Sequence, residues 1–228
     1  ETGQFVERIP DFYGFCNVNR DIRYPQLLRQ LGTKYYVVTD EDDWLATIED
    51  MPVLQDLLVA FKAEGVIVYE DPKTPPRASF VSGAESCASP RDVLERLGAK
   101  TETRDELLLI EDDDAVSTPA PANAPQAVAT IVEYKPERVR LRVNAPCVGF
   151  VLLRDTYYPG WRAYVDNVRT PVHRANYLFR CVVVSPGPHE IVFVYRPTSF
   201  VVGAALSLLT LTIVTVTGLV VVRKMAMR

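Results

Sequence analysis

The stretch FVVGAALSLLTLTIVTVTGLVVV, residues 200–222, constrains this chain more than any other. It holds no charged residue, and its only polar side chains are Ser and Thr. At about 1.5 Å per helical residue it is long enough to cross a hydrocarbon core of roughly 30 Å. A buried globular helix is the competing explanation, and both the length and the abrupt basic stop argue against it. Arg223, Lys224 and Arg228 follow the run, whereas only Arg196 lies close before it. Positive charge is retained on the cytoplasmic side of a membrane. The sequence therefore predicts a transmembrane helix over 200–222, a cytoplasmic tail over 223–228 and everything before Phe200 outside. Gly203 and Ser207 are spaced to seat a partner helix.

An outside N-terminal part requires export, yet the chain begins ETGQFVERIP, with neither Met nor an apolar leader. The expectation is a fragment preceded by further membrane spans. A single-pass protein after signal cleavage is an alternative, and a tail-anchored cytosolic protein is a third, disfavoured by the tail charges.

Charge divides the remainder. Residues 1–115 hold 24 acidic against 12 basic residues, and 116–228 hold 5 against 13. Between them lies AVSTPAPANAPQA, 115–127, a run of small residues and prolines without apolar period. The pattern predicts an acidic mixed α/β module over 1–114, a linker over 115–127 and a basic β domain over 128–199. In the first module YPQLLRQLG (24–32) and MPVLQDLLVAFKAEG (51–65) read as helices ended by glycine, leading into strands KYYVVTD (34–40) and VIVYED (66–71). A third helix is expected in SPRDVLERLGA, capped by Ser89 with Pro90 at its first position. The acidic runs at 40–43 and 111–114 lack the glycine and terminal Glu of a calcium loop and read as solvated loops.

After the linker come ATIVEY, RVRLRVNA, CVGFVLLRD, WRAYVD, VRTPV, YLFRCVVVS and HEIVFVYRP, short β-rich runs separated by turn residues. That is the pattern of a jelly-roll-like antiparallel β-sandwich, so the chain as a whole is α+β with one C-terminal membrane helix.

The corner YYPGWRAYVDN, 157–167, repays closer reading. Pro159-Gly160 breaks any helix, and Asp166-Asn167 suits a tight hairpin turn. Between the turns Trp161, Ala163 and Val165 share one face, the core face, while Arg162, Tyr164 and Asp166 share the other. Pro171 demotes the return strand to an edge or a bulge. The aromatic cluster has two readings, core packing or a platform on which sugar rings stack. On the outward surface Tyr157, Tyr158, Arg162, Tyr164, Asp166 and Arg169 are ligand-facing candidates. Rings stack on apolar sugar faces, Asp and Arg take hydroxyls, and an Arg fork holds a phosphate bidentately. Asp155 and Asp166 flank the corner and suit either sugar hydroxyls or turn structure. Arg154, Arg162, Arg169, Arg174 and Arg180 contribute to ten basic residues against five acidic over 116–199, a face able to meet lipid phosphates. Nucleic acid is excluded as a partner by location rather than by charge.

Cys16, Cys87, Cys147 and Cys181 show no CxxC spacing, and only two His accompany them, so no metal site is expected. Cys16–Cys87 with Cys147–Cys181 is one of three disulfide connectivities, and four free buried thiols are the alternative. His173 and His189 stand sixteen residues apart without paired carboxylates, and neither a nucleophile elbow nor a glycine-rich phosphate loop occurs. No catalytic residue and no cofactor is therefore assigned to this chain.

PGW-A-VD at 159–166, A-N-LFR at 175–180, PG-H at 186–189 and Y-P-SF at 195–200 together resemble the C-terminal end of bacterial YfhO-type membrane proteins. Those are large multi-spanning proteins similar to the C-type glycosyltransferases. The likeness covers about residues 130–210, with weaker echoes in LGTKYYVVTD (31–40) and PPRASFV (75–81). Asn167 replaces the usual Gly and Pro188 enters the PG-H turn, and neither departure threatens the fold. The resemblance implies that the complete protein transfers a sugar from a polyprenyl-phosphate carrier to an extracytoplasmic acceptor such as a cell-wall polymer or lipid. It also implies a catalytic carboxylate in an early outside loop, so this part would be accessory. Implied partners are membrane lipid, upstream transmembrane helices, and a polyprenyl-phosphate sugar or cell-envelope glycan. Implied too is a bacterial membrane location with the bulk extracytoplasmic. The rival reading is a membrane-anchored surface module that binds carbohydrate or protein without enzymology.

Overall fold

The computed structural model describes residues 29, 32–39, 56–99, 107–111 and 127–227. The first described unit is a three-stranded antiparallel sheet of β1 (Tyr35–Thr39), β2 (Leu58–Ala63) and β3 (Val66–Glu70), in the order β1-β3-β2. β1 and β3 fall where sequence periodicity puts them. β2 corrects the helix expected over 51–65. Leu54, Leu57, Leu58 and Phe61 mimic a helical stripe, but Gly65 takes φ +77 and turns the chain straight back, so 58–63 ladders onto β3 instead. A glycine that ends a helix and one that closes a hairpin look alike in sequence, and the available ladder decides between them. Of the helix expected over 24–32 only Arg29 and Gly32 are described, with the Gly32 N–H donating to the Arg29 carbonyl at 2.9 Å. The acidic loop expected at 40–43 lies outside the described residues.

β4 (Ala78–Val81), β5 (Gly83–Ser86), helix α1 (Pro90–Ala99) and β6 (Leu107–Ile110) follow. α1 starts as its sequence predicts: Pro90 sits at the first position, and the Ser89 hydroxyl accepts from the Asp92 N–H at 3.2 Å. Its Val93, Leu94 and Leu97 pack on Cys87, Leu109 and Tyr177.

The second half supplies β7 (Thr130–Lys135), β8 (Arg138–Ala145), β9 (Gly149–Thr156), β10 (Trp161–Val165), β11 (Val168–Thr170), β12 (His173–Ala175), β13 (Phe179–Val184) and β14 (Gly187–Tyr195). They form two facing sheets. One is β11-β10-β14-β8-β7, and the other is β4-β9-β13-β12-β6-β5. The chain switches sheets after β8, β9, β11 and β13, so that β14 inserts between β8 and β10 while β13 lies beside β9. This is a jelly-roll-like order. Alternating residues face inward: Val139, Leu141 and Val143 of β8 with Ala163, Ile191 and Phe193 meet Val151, Leu153, Val182 and Val184 of the facing sheet. Each such Leu or Phe withdrawn from water stabilises the fold by about 1.5–3 kcal/mol.

The boundary expected at 115–127 is not a boundary of the sheets. β4 pairs with β9 over four residues, and β6 meets β12 at Ile110 and Ala175, so strands from before the linker complete a sheet built mostly after it. The A-N-Y-L turn fastens this junction. Asn176 and Tyr177 take φ +48 and +70, and Asn176 exchanges two hydrogen bonds with Leu109: its N–H to the carbonyl at 2.8 Å, and its Oδ1 from the N–H at 3.0 Å. Gly149 serves the same junction, since a Cβ there would lie 2.7 Å from the Val81 carbonyl oxygen and within 2.5 Å of the Phe80 ring.

Of the two cysteine readings left open, Cys147 and Cys181 follow the one without a bridge: both are free thiols, as is Cys87. Cys147 packs against the core between the sheets, whereas Cys181 lies with Phe150, Leu152 and Phe179 in a separate cluster, because neighbours along β13 alternate in facing. Burial pushes the Cys181 and Cys87 thiols up, which keeps them protonated and inert. Cys16 lies outside the described residues.

Helix α2 (Thr198–Ala226) leaves the end of β14 after Arg196-Pro197. It spans 29 residues, none of them buried, with a mean hydropathy of 2.3 in its most apolar window. Thr210, Thr212, Thr215 and Thr217 turn their hydroxyls back to carbonyls four residues earlier at 2.8–2.9 Å, so these four hydroxyls inside the apolar run are satisfied by the helix itself.

Candidate functional site

The β10–β14 pair has two ends, and the motif residues divide between them. Register sets Trp161 opposite Tyr195 at the α2 end and Val165 opposite Ile191 at the other, where the Asp166-Asn167 turn forms the tip. The tip turn is as the sequence predicts, with φ +50 and +67 at those two residues. Asp166 accepts from the Glu190 N–H at 2.9 Å and pairs with His189 Nδ1 at 2.6 Å. These contacts, the backbone one foremost, lower the Asp166 pKa below the usual carboxylate range.

At the α2 end the Pro-Gly turn is a socket for the chain entering the helix. Gly160 has φ +111, and a Cβ on it would stand 3.0 Å from Pro197 Cα and 3.1 Å from the Tyr195 ring, so only glycine allows this approach. The Gly160 carbonyl accepts from the Arg196 N–H at 2.8 Å, and the Trp161 and Tyr195 rings lie 5.3 Å apart.

Beside this socket six strands or their flanks converge on an open pocket of about 350 Å3, lined among others by Arg77, Tyr134, Lys135, Arg154, Asp155, Trp161 and Arg180. Arg180 is its floor. The side chain is 2% exposed, with the guanidinium 3.9 Å from the Trp161 ring centre and 5.4 Å from that of Phe193. It donates to the Thr156 carbonyl at 2.9 Å and to Asp155 Oδ2 at 3.1 Å. Burial pulls its pKa down to about 10, with Asp155 opposing the fall, so it stays a cation at neutral pH. Asp155 is the hub: it also accepts from Arg77 Nε at 2.7 Å and from the Tyr134 hydroxyl at 3.2 Å, while the Arg77 guanidinium lies 4.4 Å over the Tyr134 ring. Four cations thus line the pocket with one carboxylate, which already has three donors.

The residues expected to face a ligand are not gathered into one place. Tyr157 and Tyr158 lie at the α2 end, half-buried, the first 4.6 Å under the Arg174 guanidinium and the second 6.2 Å from Tyr195. Asp166 occupies the tip. Tyr164 and Arg169 are cross-strand partners, and with Arg162 they fall on the outer face of the five-stranded sheet, where Arg138, Arg140 and Arg142 also project by strand alternation. Glu133 and Glu190 pair with those three arginines at 3.4–3.9 Å, whereas Arg162 and Arg169 make no ion pair among the described residues.

Trp161 belongs to the edge of the core, packed against the inter-sheet cluster. The pocket itself was not visible in the sequence. Asp155 meets Arg77, Arg180 and Tyr134 across 78, 25 and 21 residues, and no local spacing encodes such a meeting. The one available signal was chemical: Trp161 and Arg180 are the W and R of the two motifs that carry the family resemblance.

Residues 122–207 match the family described as bacterial membrane protein YfhO. The segment running from the linker through the sandwich strands into α2 is of the YfhO type, as the motifs implied. No curated protein and no solved structure gives a significant match.

Proposed function

With the YfhO-type segment as premise, we propose that this chain is the extracytoplasmic C-terminal portion of a membrane glycosyltransferase-like protein. In that reading it is accessory to transfer of a sugar from a polyprenyl-phosphate carrier to a cell-envelope acceptor. One observation carries the reading: the family match continues without a break across the junction of sandwich and α2. The charge step across α2, with Arg223, Lys224 and Arg228 after it, supports a cytoplasmic tail and an outside sandwich. The accessory role is to hold acceptor or carrier beside chemistry performed elsewhere in the complete protein, and no catalytic residue is assigned here.

Two experiments test this. A phosphatase reporter fused after Arg228 stays inactive if the tail is cytoplasmic, and activity there sinks the topology. Removing the coding region for the sandwich lowers glycosylation of an envelope polymer in the host on this reading. Unchanged glycosylation would instead leave a membrane-anchored binding module without enzymology, for which the exposed face of Arg162, Tyr164 and Arg169 would be the surface to probe.

A further inference from the structure

We propose that the pocket at the α2 end binds a phosphate ester presented at the membrane surface, the headgroup phosphate of an anionic lipid. The inference rests on the membrane helix and on the pocket, and stands whether or not the complete protein transfers sugar.

Charge comes first. Arg77, Lys135, Arg154 and Arg180 line the pocket against Asp155 alone, and Asp155 is already bound by Arg77, Arg180 and Tyr134. Lys135 pairs with Glu133 at 2.8 Å, a contact on the open rim. Arg154 donates to the Pro76 carbonyl at 2.7 Å and to the Ser79 hydroxyl at 2.8 Å, so the cations offered to a ligand are Arg77 and, at the rim, Lys135, above the buried charge of Arg180.

Preorganisation comes second. Arg180 is nearly fully buried, held between Trp161 and Phe193, and its Nε has no partner among the described residues. That nitrogen is itself inaccessible, so Arg180 serves the pocket as a fixed positive charge rather than as a free donor. Arg77 uses Nε on Asp155 and rests on the Tyr134 ring, which leaves its two terminal nitrogens without a hydrogen bond to the described residues. A guanidinium fixed in place by a carboxylate and a ring loses little entropy when it takes a phosphate, and its fork matches two phosphate oxygens.

Height is the third argument. Trp161 and Tyr195 form the last rung of the sheet, and Tyr195 stands three residues before Thr198, where α2 begins. At about 3.3 Å per extended residue the rung lies roughly 10 Å from the helix start. The headgroup layer outside a ~30 Å hydrocarbon core extends several ångströms on each side, so lipid phosphates lie at about this height. Tyr158, Trp161 and Tyr195 cluster there, the residue types that settle at a membrane interface. A volume of about 350 Å3, some ten water volumes at roughly 30 Å3 each, admits a phosphate with its ester-linked group.

Trp161 supplies the readout, because a ligand displacing or polarising its Arg180 contact alters indole emission. The chain carrying Trp44→Phe, purified in non-ionic detergent, is titrated with dioctanoyl phosphatidic acid, dioctanoyl phosphatidylglycerol, dioctanoyl phosphatidylcholine and inorganic phosphate. The expected result is a saturable change with the two anionic lipids, at least tenfold weaker with phosphatidylcholine and with inorganic phosphate. Arg77→Gln together with Lys135→Gln, both at exposed side chains, should weaken anionic-lipid binding at least tenfold in a chain that still unfolds cooperatively, with a lowered midpoint because Arg77 Nε no longer meets Asp155. Arg162→Gln with Arg169→Gln, on the outer sheet face, should leave it within twofold. Absence of saturation, or an equal loss in both double variants, overturns the proposal. Inorganic phosphate binding as tightly as the lipids overturns the lipid source and assigns the pocket to free phosphate.

Discussion

The two ends of the β10–β14 pair are built from the same kinds of part, a tight turn, a carboxylate and a cationic or titratable partner, yet they behave as opposites. At the tip the Asp166 side chain is about half exposed, although its His189 partner is only 12% exposed, and its contacts with His189 and the Glu190 N–H close a hairpin. At the α2 end Asp155 and Arg180 are almost completely withdrawn from water and sit beneath an indole. The lesson is one of dielectric. An exposed pair is worth roughly 0–1 kcal/mol because water screens it, while breaking a buried pair leaves an uncompensated charge and costs about 3–5 kcal/mol. The buried end specifies where the sandwich meets its membrane helix, and the exposed end fixes hairpin register.

The comparison fails first, if it fails, at Arg180. Arg180→Ala removes the buried one of the two guanidinium partners of Asp155, leaving Arg77, and takes the partner from Trp161, with an expected loss of up to about 3–5 kcal/mol, read as the shift in urea midpoint of the detergent-solubilised chain. A loss below ~1 kcal/mol would make the two ends equivalent. Trp161→Ala comes next at about 2–3 kcal/mol, less than the ~3–5 of a fully buried aromatic because the ring is only half-buried. Measured together with Arg180→Ala, it should be clearly non-additive, since the two side chains touch.

A midway test addresses the junction rather than either end. Asn176→Ala loses both the Leu109 hydrogen bond and an easy left-handed turn, about 1–3 kcal/mol in thermal denaturation. Asn176→Gly restores the turn and should recover only part of this. Full recovery would show that the side-chain bond to Leu109 contributes nothing.

The smallest effect belongs to the tip. His189→Ala should cost under about 1 kcal/mol. Because the folded Asp166 pKa lies below its unfolded value, its contribution is present above the usual carboxylate pKa of about 4 and is lost as pH falls through the lower folded value. A wild-type minus Asp166→Asn stability difference that shrinks on acidification below pH ~4 sharpens the comparison. A difference that grows on acidification below pH ~4 contradicts it.

Much of this molecule is local and was therefore legible. The membrane helix follows from an unbroken apolar run and its basic stop, because hydrocarbon tolerates no other composition. The strands β7 to β11, β13 and β14 follow from period-two alternation between turn residues, and the inward facing of Trp161, Ala163 and Val165 follows from the same period. Asp166-Asn167 as a hairpin turn and Ser89 as a helix cap each depend on a few neighbouring atoms, and each is where the sequence placed it.

Tertiary structure decided what depends on distant partners. Residues 58–63 carry a helical stripe and became a strand because β3 offered a ladder. β4, β5 and β6, too short and too plain to declare themselves, joined a sheet on the far side of the proline-rich stretch, so the step in charge does not mark a break in the sheet. Cys147 and Cys181 share a domain but not a face. The pocket at the α2 end exists only because four strands bring Arg77, Tyr134, Asp155 and Arg180 together over as many as 78 residues of chain. Alternation fixes which side of a strand a residue occupies. The charges that meet there are set by strand order, which is an outcome of packing and is written in no single segment.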